Sequence, residues 1–263
     1  ERIAAEPFDS FSSRFLERAR SGGHDLIFVS HVLFASGRLF DEVDELASLS
    51  RPGGPWVAID GYHAFMAIES PVGEAGAKTA FYLGGGYKYA MAGEGCSFLH
   101  APPGFGERPP ITGWFAEFED LKLPPGMVGY HKDAMRFMGA TFDPSGLYRF
   151  NAVRRMLSRE GLTTARISKH VAALQHRLLD RLGPSALGSA ELLNPLIEGP
   201  PEDGPHARFL AFRTELARRW CAELAAKNCI VDVRGDVLRI GLGLYHDEGD
   251  IDRFAGLAAG LAP

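Results

Sequence analysis

Short, unbroken apolar runs alternate with segments of helical spacing through the first half of the chain. Leu26-Ile27-Phe28-Val29 is a continuous run of β type, followed by Leu39, Phe40, Val43, Leu46 and Leu49 at helical intervals. The breaker cluster Pro52-Gly53-Gly54-Pro55 precedes a second apolar run, Trp56-Val57-Ala58-Ile59, which closes on Asp60. A third run over 79–83 leads into Gly84-Gly85-Gly86, and a fourth, Cys96-Ser97-Phe98-Leu99, stops before Pro102-Pro103. Strands apolar on both faces, with helices between them, predict a buried, largely parallel sheet of the α/β class.

The pattern then changes. Residues 101–144 are rich in Pro and Gly and lack periodicity, which predicts a long loop of the kind that carries function. Residues 147–160 read as a helix, and Ile167, Val171, Leu174, Leu178 and Leu182 form one apolar stripe behind a cap at Thr163-Thr164. Past a Pro-rich stretch, 194–205, residues 208–212 read as a strand and 215–227 as a helix with Leu216, Trp220 and Leu224 inward. The runs 230–234 and 237–240 flank Gly235-Asp236, a two-residue hairpin signal. Asp250 is the expected cap of a last helix that buries Ile251, Phe254, Leu257 and Leu261. A boundary near residue 160 thus separates a larger domain, 1–160, from a smaller α+β domain, 161–263.

Composition removes several functional classes. With 28 Lys+Arg against 33 Asp+Glu the formal charge is −5, so no basic excess points to nucleic acid. No apolar run reaches the ~20 residues of a membrane helix, and the first residues lack the order of a signal peptide, so the cytoplasm is the expected location. Cys96, Cys221 and Cys229 are odd in number and lack metal-ligand spacing, which predicts reduced thiols. Glycine alone is in excess, and it is bunched between residues 84 and 95, where the backbone must approach something closely.

That bunching frames the candidate chemistry. Asp60 closes a buried strand, and open α/β sheets bind ligands beyond the carboxyl ends of their strands. Lys88 follows the triple glycine, 28 residues after Asp60. Desolvation lowers the pKa of a lysine amine and favours the neutral nucleophile that forms an imine, while a carboxylate opposite keeps a pyridine nitrogen protonated. Lysine plus aspartate is the pairing pyridoxal phosphate chemistry asks of a protein. The glycine turn has neither the Walker spacing nor a G-x-G-x-x-G opening a helix, and Asp247, Asp250 and Asp252 suit a helix start better than a metal loop. Taken singly, Asp60 reads equally as a helix cap, His63 as a core histidine and Arg239 as a solvent-facing strand residue; the combination is what carries information.

Asp60-Gly61-Tyr62-His63, then Gly86-Tyr87-Lys88-Tyr89, then Gly113-Trp114-Phe115 together resemble the class V aminotransferase family of fold-type-I pyridoxal phosphate enzymes, with kynureninases the nearest branch. The run from Ser30 through Ser36-Gly37 and the strand Leu238-Arg239-Ile240 leading to Leu244-Tyr245 match as well, so the resemblance spans almost the whole chain. It implies a mostly parallel large-domain sheet with its N-terminal part missing, since only 59 residues precede Asp60, and a smaller C-terminal α+β domain. It implies pyridoxal 5'-phosphate as cofactor, an amino acid as substrate, and a homodimer with a shared active site. Lys88 would form the imine with the cofactor, Asp60 would pair with the pyridinium nitrogen, and Tyr87 would assist proton transfer. His63, Tyr87, Ser30 and Trp114 would surround the phosphate, Trp114 from the partner subunit, and Arg239 would bind the substrate carboxylate. Asp143 stands where kynureninases tend to place an asparagine touching phosphate and substrate, and adds negative charge there. The implied activity is hydrolytic carbon–carbon cleavage, with amino-group transfer as the alternative and a non-catalytic homologue as the reading of another class. Desulfuration ranks last, because Cys96 falls in a strand and not on a mobile loop.

Overall fold

A computed structural model describes residues 1–120, 123–124, 126–127, 129–196 and 205–262. Residues 121, 122, 125 and 128 of the expected loop, and 197–204 of the Pro-rich stretch, lie outside the described set. The chain forms two compact units: the first comprises Glu1–His31, Phe40–Tyr62 and Ser70–Arg154, the second Val32–Leu39, His63–Glu69 and Arg155–Pro263.

In the first unit, α1 (Phe11–Arg20) leads into β1 (Leu26–Ser30), and the short α2 (Val43–Ala47) connects it to β2 (Trp56–Asp60). β3 (Ala80–Gly85) and β4 (Ser97–His100) complete a sheet of order β1-β2-β3-β4. The first three strands are parallel, with Ser30 beside Asp60 and Asp60 beside Leu83. β4 instead returns antiparallel to β3. A parallel return needs a crossover of about a dozen residues, usually helical; the Gly86–Cys96 connection is a compact turn without a helix, so the chain comes straight back. α2 is shorter than the apolar spacing predicts because the backbone of Phe40 donates to His31 O at 2.8 Å, which holds the start of that stretch extended.

One face of the sheet, Trp56, Ala58 and Phe81, is covered by Ala101, Phe105 and Phe137 from the long loop. That loop has no apolar periodicity to organise it. A buried guanidinium does so, because Arg136 donates to the carbonyls of Pro102, Phe105, Gly106 and Asp133 and stacks on Phe137 with 4.8 Å to the ring centre. α3 (Ser145–Arg159) follows.

The second unit contains α4 (Thr164–Leu182), β5 (Glu191–Leu192), β6 (Phe209–Arg213), α5 (Ala217–Ala226), β7 (Asp232–Arg234), β8 (Val237–Gly241) and α6 (Glu248–Ala258). Its sheet, order β5-β6-β8-β7, is antiparallel throughout. Thr163 caps α4 by accepting from Arg166 N, and the expected stripe Ile167, Val171, Leu174, Leu178 and Leu182 is buried. Gly235, at φ 63°, turns the β7–β8 hairpin. The last helix begins earlier than its sequence suggests: Asp247 is the cap, and Asp250 is its reciprocal partner three residues on, each side chain accepting from the other's backbone N–H at 2.9–3.0 Å. Among the described residues, no helix is long and apolar enough to cross a membrane, and no group of three His, Cys, Asp or Glu side chains is arranged to hold a metal ion.

Candidate active site

The candidate residues of the first unit gather at the carboxyl edge of β1, β2 and β3. Alternation along β1 and β2 buries Ile27, Val29, Val57 and Ile59 and brings Ser30 and Asp60, both half-buried, to the strand ends in register. Ser30 Oγ donates to Asp60 Oδ2 at 3.1 Å and the Tyr62 N–H donates to Oδ1 at 3.0 Å. Both oxygens of the carboxylate are thereby oriented, and each has capacity for a second hydrogen bond.

Beyond β3 the backbone is packed too tightly for side chains. A Cβ on Gly85 would stand 2.6 Å from the Tyr62 ring and 2.9 Å from the Tyr87 ring, and one on Gly61 would stand 1.9 Å from the Tyr82 ring. Glycine at these two positions admits three tyrosines around Asp60 and the following turn. The Tyr62 and Tyr87 ring centres are 5.5 Å apart, and Lys88 Nζ lies 5.5 Å from the centre of the Tyr87 ring. Burial pushes the Tyr87 phenol above its usual pKa, with further contributions from Tyr62, Glu94 and Asp60. Tyr82, whose hydroxyl donates to Gly61 O at 3.3 Å, is raised by burial and then by Asp60. Both phenols are therefore neutral donors at physiological pH.

Trp114 and Asp143 are also in this unit. Trp114 opens a 3₁₀ segment, is half exposed, and meets Phe115 edge to face at 5.6 Å. Asp143 is fully exposed and serves the start of α3, accepting from Ser145 N at 2.9 Å and Ser145 Oγ at 2.6 Å. Those two bonds, and then the charge of Arg149, hold its carboxyl below the usual range.

His63 and Arg239 belong to the second unit, where one ring joins them. His63 meets Phe209 edge to face at 5.5 Å, and the Arg239 guanidinium lies 5.2 Å from the centre of the same ring. Arg239 sits on β8 opposite Asp232 on β7 and donates to Asp232 Oδ2 from Nε at 2.8 Å and from Nη2, while Nη1 donates to Phe34 O. The Ser36-Gly37 run reaches this place too: a Cβ on Gly37 (φ 72°) would collide with Asn194 and stand 3.2 Å from Phe209.

Sequence reading passed over Tyr62, Tyr82 and Asp232. Tyr62 lies inside the Asp60–His63 motif and was legible there. The part played by Tyr82 follows only from the glycine it faces, and that of Asp232 only from strand register.

No protein-family model matches the sequence, and no curated protein matches it. Solved structures do. A cysteine desulfurase from Thermococcus onnurineus is 21% identical over 94% of this chain and 62% of its own, with a TM-score of 0.72. A cystine C–S lyase, solved with its product cysteine persulfide, is 19% identical over 95% of this chain and 65% of its own, at 0.73; the same lyase is also known with glycine covalently linked to pyridoxal phosphate. An aspartate aminotransferase from Thermus thermophilus is 17% identical over 93% of this chain and 66% of its own, at 0.56. This chain spans about two thirds of the length of these proteins, or slightly less. At such identities the likeness is one of fold, and the fold is that of the fold-type-I pyridoxal phosphate enzymes.

Proposed function

We propose that the chain belongs to a pyridoxal-phosphate-dependent enzyme acting on an amino acid, with 1–160 part of the cofactor-binding large domain and 161–263 the small domain. One observation supports this reading: Ser30 and Asp60 are hydrogen-bonded at the carboxyl edge of the parallel strands, and the turn leaving β3 carries Tyr87, whose phenol feels the Asp60 charge, with Lys88 Nζ 5.5 Å from the centre of its ring. The donor set fits the cofactor. Asp60 is a fixed carboxylate with acceptor capacity to spare for a pyridinium N–H, and Gly61 and Gly85 leave no side chain between the strand ends and the tyrosines.

When bound, the cofactor supplies an electron sink for negative charge developing at the substrate α-carbon. Lys88 would hold it through Nζ and, when that amine is free, would move the substrate α-proton. Asp60 would accept from the ring nitrogen and keep it protonated. Tyr87, whose phenol is held above its ordinary pKa by burial and then by Tyr62, Glu94 and Asp60, would assist proton transfer as a neutral hydroxyl. Ser30, His63, Tyr87 and, from the partner of a cytoplasmic homodimer, Trp114 would surround the phosphate, with Asp143 adding negative charge beside it. Arg239 receives the substrate carboxylate, a role its planar, permanently charged fork suits.

For the finer activity we favour kynureninase-like hydrolytic carbon–carbon cleavage, on the strength of the residue pattern around Asp60, Lys88 and Trp114. Amino-group transfer is the second reading, supported by the likeness to the aspartate aminotransferase. Desulfuration through a cysteine nucleophile remains last, since Cys96 is buried and Cys221 and Cys229 are half-buried in the other unit.

The test is direct. Pyridoxal phosphate added to the protein should produce a visible absorption band, and borohydride should fix the cofactor on the peptide containing Lys88; Lys88→Ala should abolish that adduct. An unchanged spectrum in well-folded protein would favour the non-catalytic homologue. Release of anthranilate from kynurenine, against exchange between an amino donor and a keto acid, separates the two activities.

A further inference from the structure

The loop from Gly86 to Cys96 carries Tyr87 and Lys88 away from β3 and returns the chain into β4. Its own backbone closes it: Gly86 N–H donates to Cys96 O at 2.6 Å, Ala92 N–H to Gly86 O at 2.7 Å and Met91 N–H to Lys88 O at 3.0 Å. The first turn of α3 lies against its last residues. A Cβ on Gly146 would stand 2.3 Å from the Gly95 carbonyl oxygen and 2.9 Å from the Cys96 nitrogen, so only a bare Cα permits this approach. Three residues on, and on the same side of the helix, Arg149 Nε donates to Ala92 O at 3.1 Å and Nη2 donates to Glu94 O. Gly93 (φ 70°) and Gly95 (φ 86°) turn towards this guanidinium, where a Cβ on either would lie 3.7 Å away.

We propose that Gly146 and Arg149 are positioning residues for Lys88, and that the first turn of α3 is the seat on which the Lys88 loop is held. Gly146 sets how near the loop comes, and Arg149 ties it down through two carbonyls at once. The connection is short: Arg149 fixes Ala92, Ala92 is bonded to Gly86, and the turn between them carries Lys88. A planar fork suits two carbonyls on neighbouring turns, whereas the single ammonium of a lysine serves one well. The significance of the seat for chemistry rests on the reading of Lys88 as the cofactor-bearing amine; the seat itself does not.

Three variants test it. Arg149→Met removes the donors and keeps the length, Arg149→Lys restores one bond, and Gly146→Ala pushes the loop off the helix with Arg149 intact. Amide exchange of the cofactor-free protein should accelerate in residues 86–96 by about fivefold in Arg149→Met and in Gly146→Ala, with Arg149→Lys between these and the parent. Fixation of pyridoxal phosphate on Lys88 by borohydride should slow in the same order while the melting temperature stays within a few degrees. Should Arg149→Met fail to fold, Gly146→Ala and Arg149→Lys decide the matter. Exchange and fixation unchanged in these variants would overturn the inference. A parent protein that takes no cofactor on Lys88 overturns the proposed function instead, and loop exchange alone then judges the seat.

Discussion

The two sheets place their polar residues in opposite ways. In the parallel sheet the interiors of β1 and β2 are apolar, and the polar groups wait at the strand ends, where Ser30 and Asp60 touch each other and keep acceptor capacity. In the antiparallel sheet the charges lie along the strands and are answered directly across them: Arg239 faces Asp232, and Arg213 faces Glu191. Asp60 is oriented by a hydroxyl and an amide, with Ser30 and Leu83 and no charged residue beside it in the sheet, which suits a catalytic carboxylate. A charge answered across the sheet is stabilised by its partner, so any ligand it binds must share it.

The sharpest way to break the comparison is through the cover of the parallel sheet, which has no counterpart in the hairpin architecture of the other. Arg136 is only 2% exposed, and its guanidinium is solvated by four backbone carbonyls. Arg136→Met leaves the Phe105 and Gly106 carbonyls without these donors, while Pro102 O and Asp133 O keep the backbone N–H groups of Phe105 and Arg136, so a loss of about 2–4 kcal/mol is expected in chemical denaturation. Exchange should rise around Phe105 and Phe137 and stay unchanged in β6 and β8. A loss under about 1 kcal/mol would mean that water replaces the guanidinium without cost.

His31, next in chain after the end of β1, offers a second lever. It is 6% exposed with Nδ1 unpartnered, and burial, partly offset by the charge of Asp44, drives its pKa down to about 4. In the unfolded chain the imidazole titrates near 6.5. Between those values the unfolded state binds the proton and the folded state does not, so stability is complete above about pH 6.5 and falls as pH drops towards 4. The drop attributable to this residue is about 3 kcal/mol, and His31→Leu should flatten it. Equal pH dependence in the variant would show that His31 gains a partner on protonation.

Both levers also mark where sequence reading reaches its limit. Strands β1, β2, β3 and β6, helix α4 with its Thr163 cap, and the Gly235-Asp236 hairpin were legible because short-range signals dominate there: unbroken apolar runs, a period of 3.6, and punctuation by glycine. The carboxyl-edge position of Asp60 was legible for the same reason. α1 was not anticipated, since Phe11, Phe15 and Leu16 form too short a stripe, and they are organised by packing such as that of Phe11 and Phe15 on Phe40. The direction of β4 depends on the shape of a loop, and the long loop is folded by one arginine whose four acceptors lie up to 34 residues away in sequence. Non-local satisfaction of this kind leaves no periodic trace.

The smallest effects concern the pair that represents the antiparallel side. Asp232 is 42% exposed, so Asp232→Asn should cost no more than about 1 kcal/mol of stability. Its informative consequence is for ligands. Asparagine keeps an acceptor for Arg239 Nε and so preserves the guanidinium's orientation, but it removes the negative charge that competes with a substrate carboxylate. Removing a nearby unit charge across a partly wet site is worth about 1 kcal/mol, so the affinity for an α-amino acid measured by calorimetry should rise about fivefold. Asp232→Ala removes charge and acceptor together, frees the fork to turn, and should forfeit most of that gain. If neither variant alters carboxylate affinity while both fold, Arg239 is a structural member of its sheet, and the contrast between charges paired across the antiparallel sheet and the unmatched carboxylate of the parallel one becomes absolute.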